Sequence, residues 1–302
     1  MPSRCSPGAW RWWLTVPLAD VAAQVWYGRS PAAQAARTLL SPLSLLYRVA
    51  IGRINARHDR APAVSGPIPS VSIGNVTVGG TGKTPVSAWF ASRLRVAGAR
   101  PAVVLRGYGD DEVLVHRLLN PDVPVLADAE RVRGVERAAR DGADIAILDD
   151  AFQHRRAARV ADIVLVSADR WTGAVRLLPA GPFREPLESL QRASLVLITV
   201  KAASAAQVRA TFDAVRAATD STVVTVDLRP ASFIHVASGE ARTVESFRGT
   251  RVLAVSGIGD PAAFAGQLTR LALHPVPMVF ADHHAYRASD VSSIVAGAAG
   301  VD

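Results

Sequence analysis

The sequence predicts an α/β protein built on a parallel sheet with helices on both faces, and three observations carry that expectation. Short β-branched runs alternate along the chain with Ala- and Arg-rich stretches of helical length. A glycine-rich loop, 74–84, joins one such run to a helical stretch. Another apolar run, 144–148, leads directly into two consecutive aspartates, Asp149 and Asp150. With 302 residues, 49% of them apolar, the chain has room for two modest domains and is not disordered. The expected organisation is an N-terminal helical segment that associates with membrane (1–60), a main lobe (61–190) and a second, smaller α/β lobe (191–302).

The N-terminal segment is set apart by charge and aromatic content. It holds eight arginines against Asp20 and Asp59, which is +6 of the net +8. It also carries four of the six tryptophans (Trp10, Trp12, Trp13, Trp26), Tyr27, Tyr47 and a leucine-rich run, 38–47. Rings at headgroup depth and guanidinium groups at lipid phosphates suit an interfacial anchor. Asp20, Arg29, Arg37, Arg48 and Arg53 interrupt any apolar run before the ~18 residues a spanning helix needs. An ordinary helical hairpin packed on the protein is the alternative. Tryptophans beside leucines favour lipid over nucleic acid as the partner of this basic surface. One cysteine, Cys5, excludes an intrachain disulfide and a Cys-based zinc site, and a reducing compartment is the default.

Residues 61–69 read as a Pro-rich connector. Beyond it, β-branched composition places strands at 70–73, 101–105, 144–148, 163–166, 195–200, 222–226 and 252–256. Helices are expected at 85–97 and 131–140. The loop after the first strand runs Gly74-Asn75-Val76-Thr77-Val78-Gly79-Gly80-Thr81-Gly82-Lys83-Thr84-Pro85. Strand, glycine-rich loop and helix in that order are what a P-loop requires. Gly79, Gly80 and Gly82 let backbone N–H groups close around a phosphate, and the helix points its positive end at the same anion. Lys83 would reach the β/γ oxygens and the Thr84 hydroxyl would meet Mg²⁺. Thr77 stands where the strict pattern has glycine. Lys83 is one of only two lysines among 34 basic residues, the other being Lys201.

Three polar clusters join the P-loop. Asp149 and Asp150, at the C-terminal end of a strand in the same sheet, are placed to hold Mg²⁺ directly or through water. Asp110-Asp111-Glu112 follows Arg106-Gly107-Tyr108-Gly109; alone it reads as a surface turn, and phosphoryl transfer to an alcohol would give it a use, to orient or deprotonate the hydroxyl. The pair His283-His284 follows Asp282, which alone reads as a helix cap.

These motifs resemble, in order and over roughly residues 40–290, those of the tetraacyldisaccharide 4′-kinase family, the lipid A 4′-kinases of Gram-negative bacteria. The resemblance rests on the P-loop, on Arg106-Gly107-Tyr108-Gly109, on Asp111-Glu112 and on the block from Asp149 to His154. Leu178-Pro179-Ala180-Gly181-Pro182-Phe183-Arg184-Glu185-Pro186 and Asp282-His283 complete it. It implies a P-loop NTPase-like enzyme at the cytoplasmic face of the bacterial inner membrane, expected as a monomer. It would move the γ-phosphate of ATP to the 4′-hydroxyl of a tetraacyldisaccharide 1-phosphate, a lipid A precursor. By position, Thr77, Gly79, Gly80, Thr81, Gly82, Lys83 and Thr84 would bind ATP. Thr84, Asp149, Asp150 and Glu112 would serve Mg²⁺, and Asp111 would be the base, paired with His283. Arg131, Gln153, His154, Arg184 and Glu185 would support phosphates or acceptor.

The chain departs from the family pattern at two places. Asp110 follows Gly109 at once where the family has an extended stretch, so only the position before Glu112 selects Asp111 over Asp110 as base. Asp302 comes soon after the His motif, where the family continues with a strand bearing a Thr-x-Lys-Asp motif, so a sheet edge is expected to need other cover. A nucleotide-binding relative without catalysis and a membrane-recruited ATPase are the alternative readings; Val78, where the latter carries lysine, counts against it.

Overall fold

In the computed structural model, which describes residues 18–107, 111–282 and 284–301, every residue of strand β1 (Ser70–Asn75) is buried. Cys5, Trp10, Trp12, Trp13, Asp110 and His283 lie outside the described residues, and Asp111 is described in its backbone only. β1 is the middle strand of a seven-stranded sheet. The order is β3 (Val125–Ala127), β2 (Pro101–Leu105), β4 (Ile145–Asp149), β1, β5 (Ala161–Ser167), β6 (Leu195–Val200) and β7 (Thr222–Asp227). Every neighbouring pair is parallel.

Period-two alternation puts helices on both faces. Val71, Ile73, Val103, Leu105 and Ile147 pack with Val86 and Ala91 of α3 (Lys83–Val96). The intervening Ala102, Val104, Ala146 and Leu148 pack with Val135 and Ala138 of α5 (Arg131–Arg140). β1 pairs with β4 on one side and β5 on the other; the chain runs from β1 out to β2 and β3, returns through β4 and then crosses β1 to β5, so the strand order reverses beside the carboxyl end of β1, the usual ligand crevice of such sheets.

Each expected strand is present, with small shifts that matter for the site. β4 extends to Asp149, so this aspartate belongs to the strand and not to the following loop. α3 starts at Lys83, two residues before the expected start, because Pro85 in a first turn forfeits only an N–H that has no helical partner there. β3, α4 (Asp111–Leu119) and α6 (Ala205–Arg216) are not among the expected elements; α4 begins where the sequence alone reads as a surface turn. The sheet continues through β6 and β7 to Asp227, past the boundary expected at 190.

The smaller lobe pairs β8 (Ser232–Ile234) with β9 (Ala241–Thr243) antiparallel, and β10 (Arg251–Ser256) with β11 (His274–Val279) parallel. α7 (Pro261–Arg270) crosses between the last two, and α8 (Ala288–Ala298) lies against β10. Its core is Ala254, Leu268 and Leu273 with Phe233 and Phe247 alongside.

At the N-terminus α1 (Leu18–Tyr27) and α2 (Pro31–Arg60) form a hairpin, with Ser30 capping α2 and Pro31 in its first turn. One face of α2 docks on the loop 177–185. Ser44 Oγ donates to Leu177 O (2.9 Å) and accepts from Ala180 N, Tyr47 OH donates to Arg184 O (2.9 Å), and Asn55 Nδ2 donates to Glu185 Oε2 (2.8 Å). Beside that docked face, one turn apart at each step, Leu39, Leu43 and Leu46 are turned to solvent, 78%, 51% and 67% exposed. The hairpin therefore packs on the protein and still carries an outward apolar stripe. Among the described residues no helix is long and apolar enough to cross a membrane.

Candidate active site

The loop after β1 is fastened from two strands. Asn75 Nδ2 donates to Thr81 Oγ1 (2.9 Å), both buried, and Thr199 Oγ1 at the end of β6 donates to Thr81 O (2.8 Å). Lys201 Nζ, just past β6, donates to Gly80 O (2.8 Å). Gly79 and Gly82 have φ of 103° and 89°, which only glycine adopts readily, and Gly82 starts α3 in that conformation. Thr77 forms an isolated backbone bridge with Phe183, and Val78 N donates to Pro182 O (2.8 Å), so the loop 177–185 flanks the P-loop. Lys83 is the first residue of α3 and Thr84, half-buried, the second.

Beside the P-loop lie the two aspartates of β4 and its turn. Asp149 is 3% exposed. Its Oδ1 accepts from Ser87 Oγ (3.1 Å) and from Asp150 N (2.9 Å), and its Oδ2 is 2.9 Å from His116 Nε2. Three of the roughly four acceptor positions of a carboxylate are thereby filled from within the protein. Asp150 has φ 48°, left-handed and unusual for a side chain, which turns its carboxylate toward Lys83 Nζ (3.7 Å) and Arg184 Nη1 (3.1 Å). Burial pushes the Asp150 carboxyl up, and Lys83, then Arg184 and Arg131, outweigh it and hold the group below the usual carboxylate range.

Arg131, 2% exposed, opens α5 and reaches Asp149 O (3.1 Å) and Asp128 O (2.8 Å). Gln153 Nε2 donates to Asn75 O (2.8 Å) and Glu185 Oε1 (3.1 Å). Glu185 is fully buried and also holds Arg192 Nη2 (2.9 Å), so it ties the wall together from behind. Burial, then Arg131, pushes the His154 imidazole down, which leaves it neutral near pH 7. Arg106, Glu112, Arg131, Asp149, Asp150, Gln153, His154 and Arg184 line one cavity of about 440 Å³.

Of the residues singled out in the sequence, the fold thus brings Lys83, Asp149, Asp150, Glu112, Arg131, Gln153, His154 and Arg184 together, with Glu185 behind them. Asp111 and His283, expected from the family resemblance as base and partner, are not described in their side chains. A P-loop lysine facing an Asp-Asp turn, with arginines around a polar cavity, is built for a nucleotide's phosphates and a second anionic or hydroxylic group.

Comparison with known proteins agrees. The family model described as tetraacyldisaccharide-1-P 4′-kinase matches residues 36–116 and 109–301. The chain belongs to this kinase family. The two stretches overlap at residues 109–116, which include the Gly109–Asp110 step where the sequence departs from the family pattern. A tetraacyldisaccharide 4′-kinase of Pseudomonas putida strain F1 is 35% identical over 298 residues, 91% of this chain and 83% of that protein. Its counterpart in Pseudomonas entomophila strain L48 is 36% identical over 292 residues, 89% and 81% respectively. The crystal structure of LpxK from Aquifex aeolicus in complex with ATP superposes with a TM-score of 0.64 at 27% identity, covering 82% of this chain and 83% of that one.

The kinase site also contains residues that were not assigned from the sequence. Lys201 stands out in the sequence by its rarity and not by its grip on Gly80; its position straight after a strand, like that of the P-loop, is the available signal. Ser87 and His116 gave none, because each lies one helical turn beyond a site residue and meets Asp149 only in the folded chain.

Proposed function

We propose that the chain transfers the γ-phosphate of ATP to the 4′-hydroxyl of a tetraacyldisaccharide 1-phosphate, with the roles divided as follows. The P-loop N–H groups and Lys83 hold the phosphates and stabilise charge on the transferring group. Arg184 and Arg131 add positive charge around the same cavity, and neutral His154 can accept or donate there without adding more. Asp111 takes the hydroxyl proton, oriented by His283; Asp110 is the alternative base. Membership of the kinase family and the contact of Lys83 with Asp150, which lines the cavity, carry this reading.

Mg²⁺ fits the donors present. Thr84 offers a hydroxyl, and Asp150, Asp149 and Glu112 offer carboxylates, all hard oxygen ligands. Among the described residues no three His, Cys, Asp or Glu form a ready cage, which suits an ion that takes one or two carboxylates and completes its shell with phosphates and water. When bound, the ion would neutralise phosphate charge; Thr84 and Asp150 are the residues to hold it, with Asp149 acting through its remaining acceptor position.

An acceptor with four acyl chains is held in a bilayer, and ATP is cytoplasmic. The outward Leu39, Leu43 and Leu46 of α2, with Arg48 and Arg53 exposed nearby, support seating on the cytoplasmic face of the inner membrane. Transfer of label from γ-labelled ATP to tetraacyldisaccharide 1-phosphate in detergent micelles tests the reaction. Folded protein that labels no lipid overturns it. Lys83→Ala is expected to slow transfer by about a hundredfold or more, by loss of a charge-stabilising donor.

A further inference from the structure

α4 presents Leu114, Val115, Leu118 and Leu119 to solvent, yet in its middle His116 is 1% exposed. A carboxylate only accepts, so the 2.9 Å contact is His116 Nε2 donating to Asp149 Oδ2. The other ring nitrogen, Nδ1, is buried with no hydrogen-bond partner. Packing alone would be better served by another leucine, since a buried polar atom without a partner costs stability. The one bond the ring makes is therefore the reason a histidine sits there, and that bond goes to the carboxylate at the end of β4.

The same construction occurs on the neighbouring helix. Ser87 follows Lys83 by four residues on α3 and fixes Asp149 Oδ1; His116 follows Glu112 by four residues on α4 and fixes Asp149 Oδ2. Residues four apart share a helix face. Each helix thus brings a site residue in its first turn and, one turn later, a side chain that clamps it to one carboxylate. Asp149 becomes the common reference for the N-terminal turns of α3, with Lys83 and Thr84, and of α4, with Asp111 and Glu112.

We propose that His116 is a positioning residue for phosphoryl transfer, holding Asp149 and the first turn of α4 in register with the P-loop helix. The proposal rests on the reading of Asp149, Asp150 and Glu112 as the metal-side carboxylates. Partners of this kind typically cost about ten- to a hundredfold in activity or metal affinity when removed. The test compares His116→Gln, which keeps a donor, with His116→Leu, which keeps the packing; His116→Met replaces the latter if it does not fold. Each is followed by thermal melting and by label transfer as Mg²⁺, ATP and lipid acceptor are varied separately. His116→Leu should lower kcat and raise the Mg²⁺ concentration for half-maximal rate, each by about tenfold, with KM for the acceptor little changed, while His116→Gln stays within about threefold of the parent. A leucine variant with the parent's kcat and Mg²⁺ requirement overturns the proposal. So does a glutamine variant as impaired as the leucine one when both melt like the parent. Asp150→Asn separates the two levels: if it shifts the Mg²⁺ requirement and His116→Leu does not, only the role of His116 falls. If Asp150→Asn leaves that requirement untouched, the metal-side reading falls and His116 with it.

Discussion

At Asp150 one carboxylate meets Lys83, Arg184 and Arg131, and the balance of their charges against burial sets its behaviour. Its folded pKa is depressed, so its contribution to stability is complete above the ordinary carboxylate value of about 3.9 and is lost as pH falls through the folded value. Lys83→Met removes the largest opposing charge and should move the titration of Asp150 to higher pH; an unchanged carboxyl-carbon NMR midpoint would show that Lys83 does not act on it in solution. Residues of this kind were legible in the sequence, because Lys83 sits in a loop pattern and Asp150 in a doublet after a strand, both local signals. The contact of His116 with Asp149 joins positions 33 apart, and that of Lys201 with Gly80 joins positions 121 apart. No local pattern encodes such contacts, since their partners are chosen by strand order.

Among the elements, the strands were the most readable, because their β-branched runs stand out from the polar loops, and those of β1 and β2 are buried on both faces. α4 was unreadable for the opposite reason. Its outward residues are apolar and its buried one is a histidine, which inverts the pattern by which amphipathic helices are recognised. For α2, composition showed the lipid-like side but not the docked side, which depends on single polar residues, Ser44, Tyr47 and Asn55, aimed at backbone oxygens and Glu185. That docking is measurable. Glu185→Ala leaves Arg192 without its carboxylate and frees Asn55 and Gln153, and should cost about 3 kcal/mol in urea unfolding, the low end for a broken buried pair because Arg192 reaches solvent. Tyr47→Phe should cost about 1 kcal/mol, the worth of one ordinary hydrogen bond. A Glu185→Ala loss no larger than that of Tyr47→Phe would show that the wall behind the cavity does not depend on this carboxylate.

For the molecule as a whole, one side chain joins the hairpin, the P-loop sheet and the smaller lobe, with the Arg170 guanidinium lying over the Tyr27 ring of α1. Arg170, after β5, pairs with Asp260 (3.0 Å) and the Gly259 carbonyl of the smaller lobe, and Gln267 of α7 bonds the Leu228 carbonyl after β7. β6 and β7 belong to the main sheet although composition alone would equally suit a second one, since they are as apolar or β-branched as a second sheet would be and only pairing assigns them. Replacing Leu39, Leu43 and Leu46 together with serine should release the protein from anionic vesicles in a flotation assay while nucleotide binding persists, because the docked face of α2 is untouched; continued flotation would place membrane contact elsewhere. The scarcity of lysine has a practical consequence as well. Both lysine side chains of the chain touch the nucleotide loop or its partner, Lys83 from within α3 and Lys201 through Gly80. An amine-selective acylating reagent therefore finds its side-chain targets only at this loop, and protection by ATP turns ordinary mass spectrometry of acylated peptides into a direct readout of occupancy.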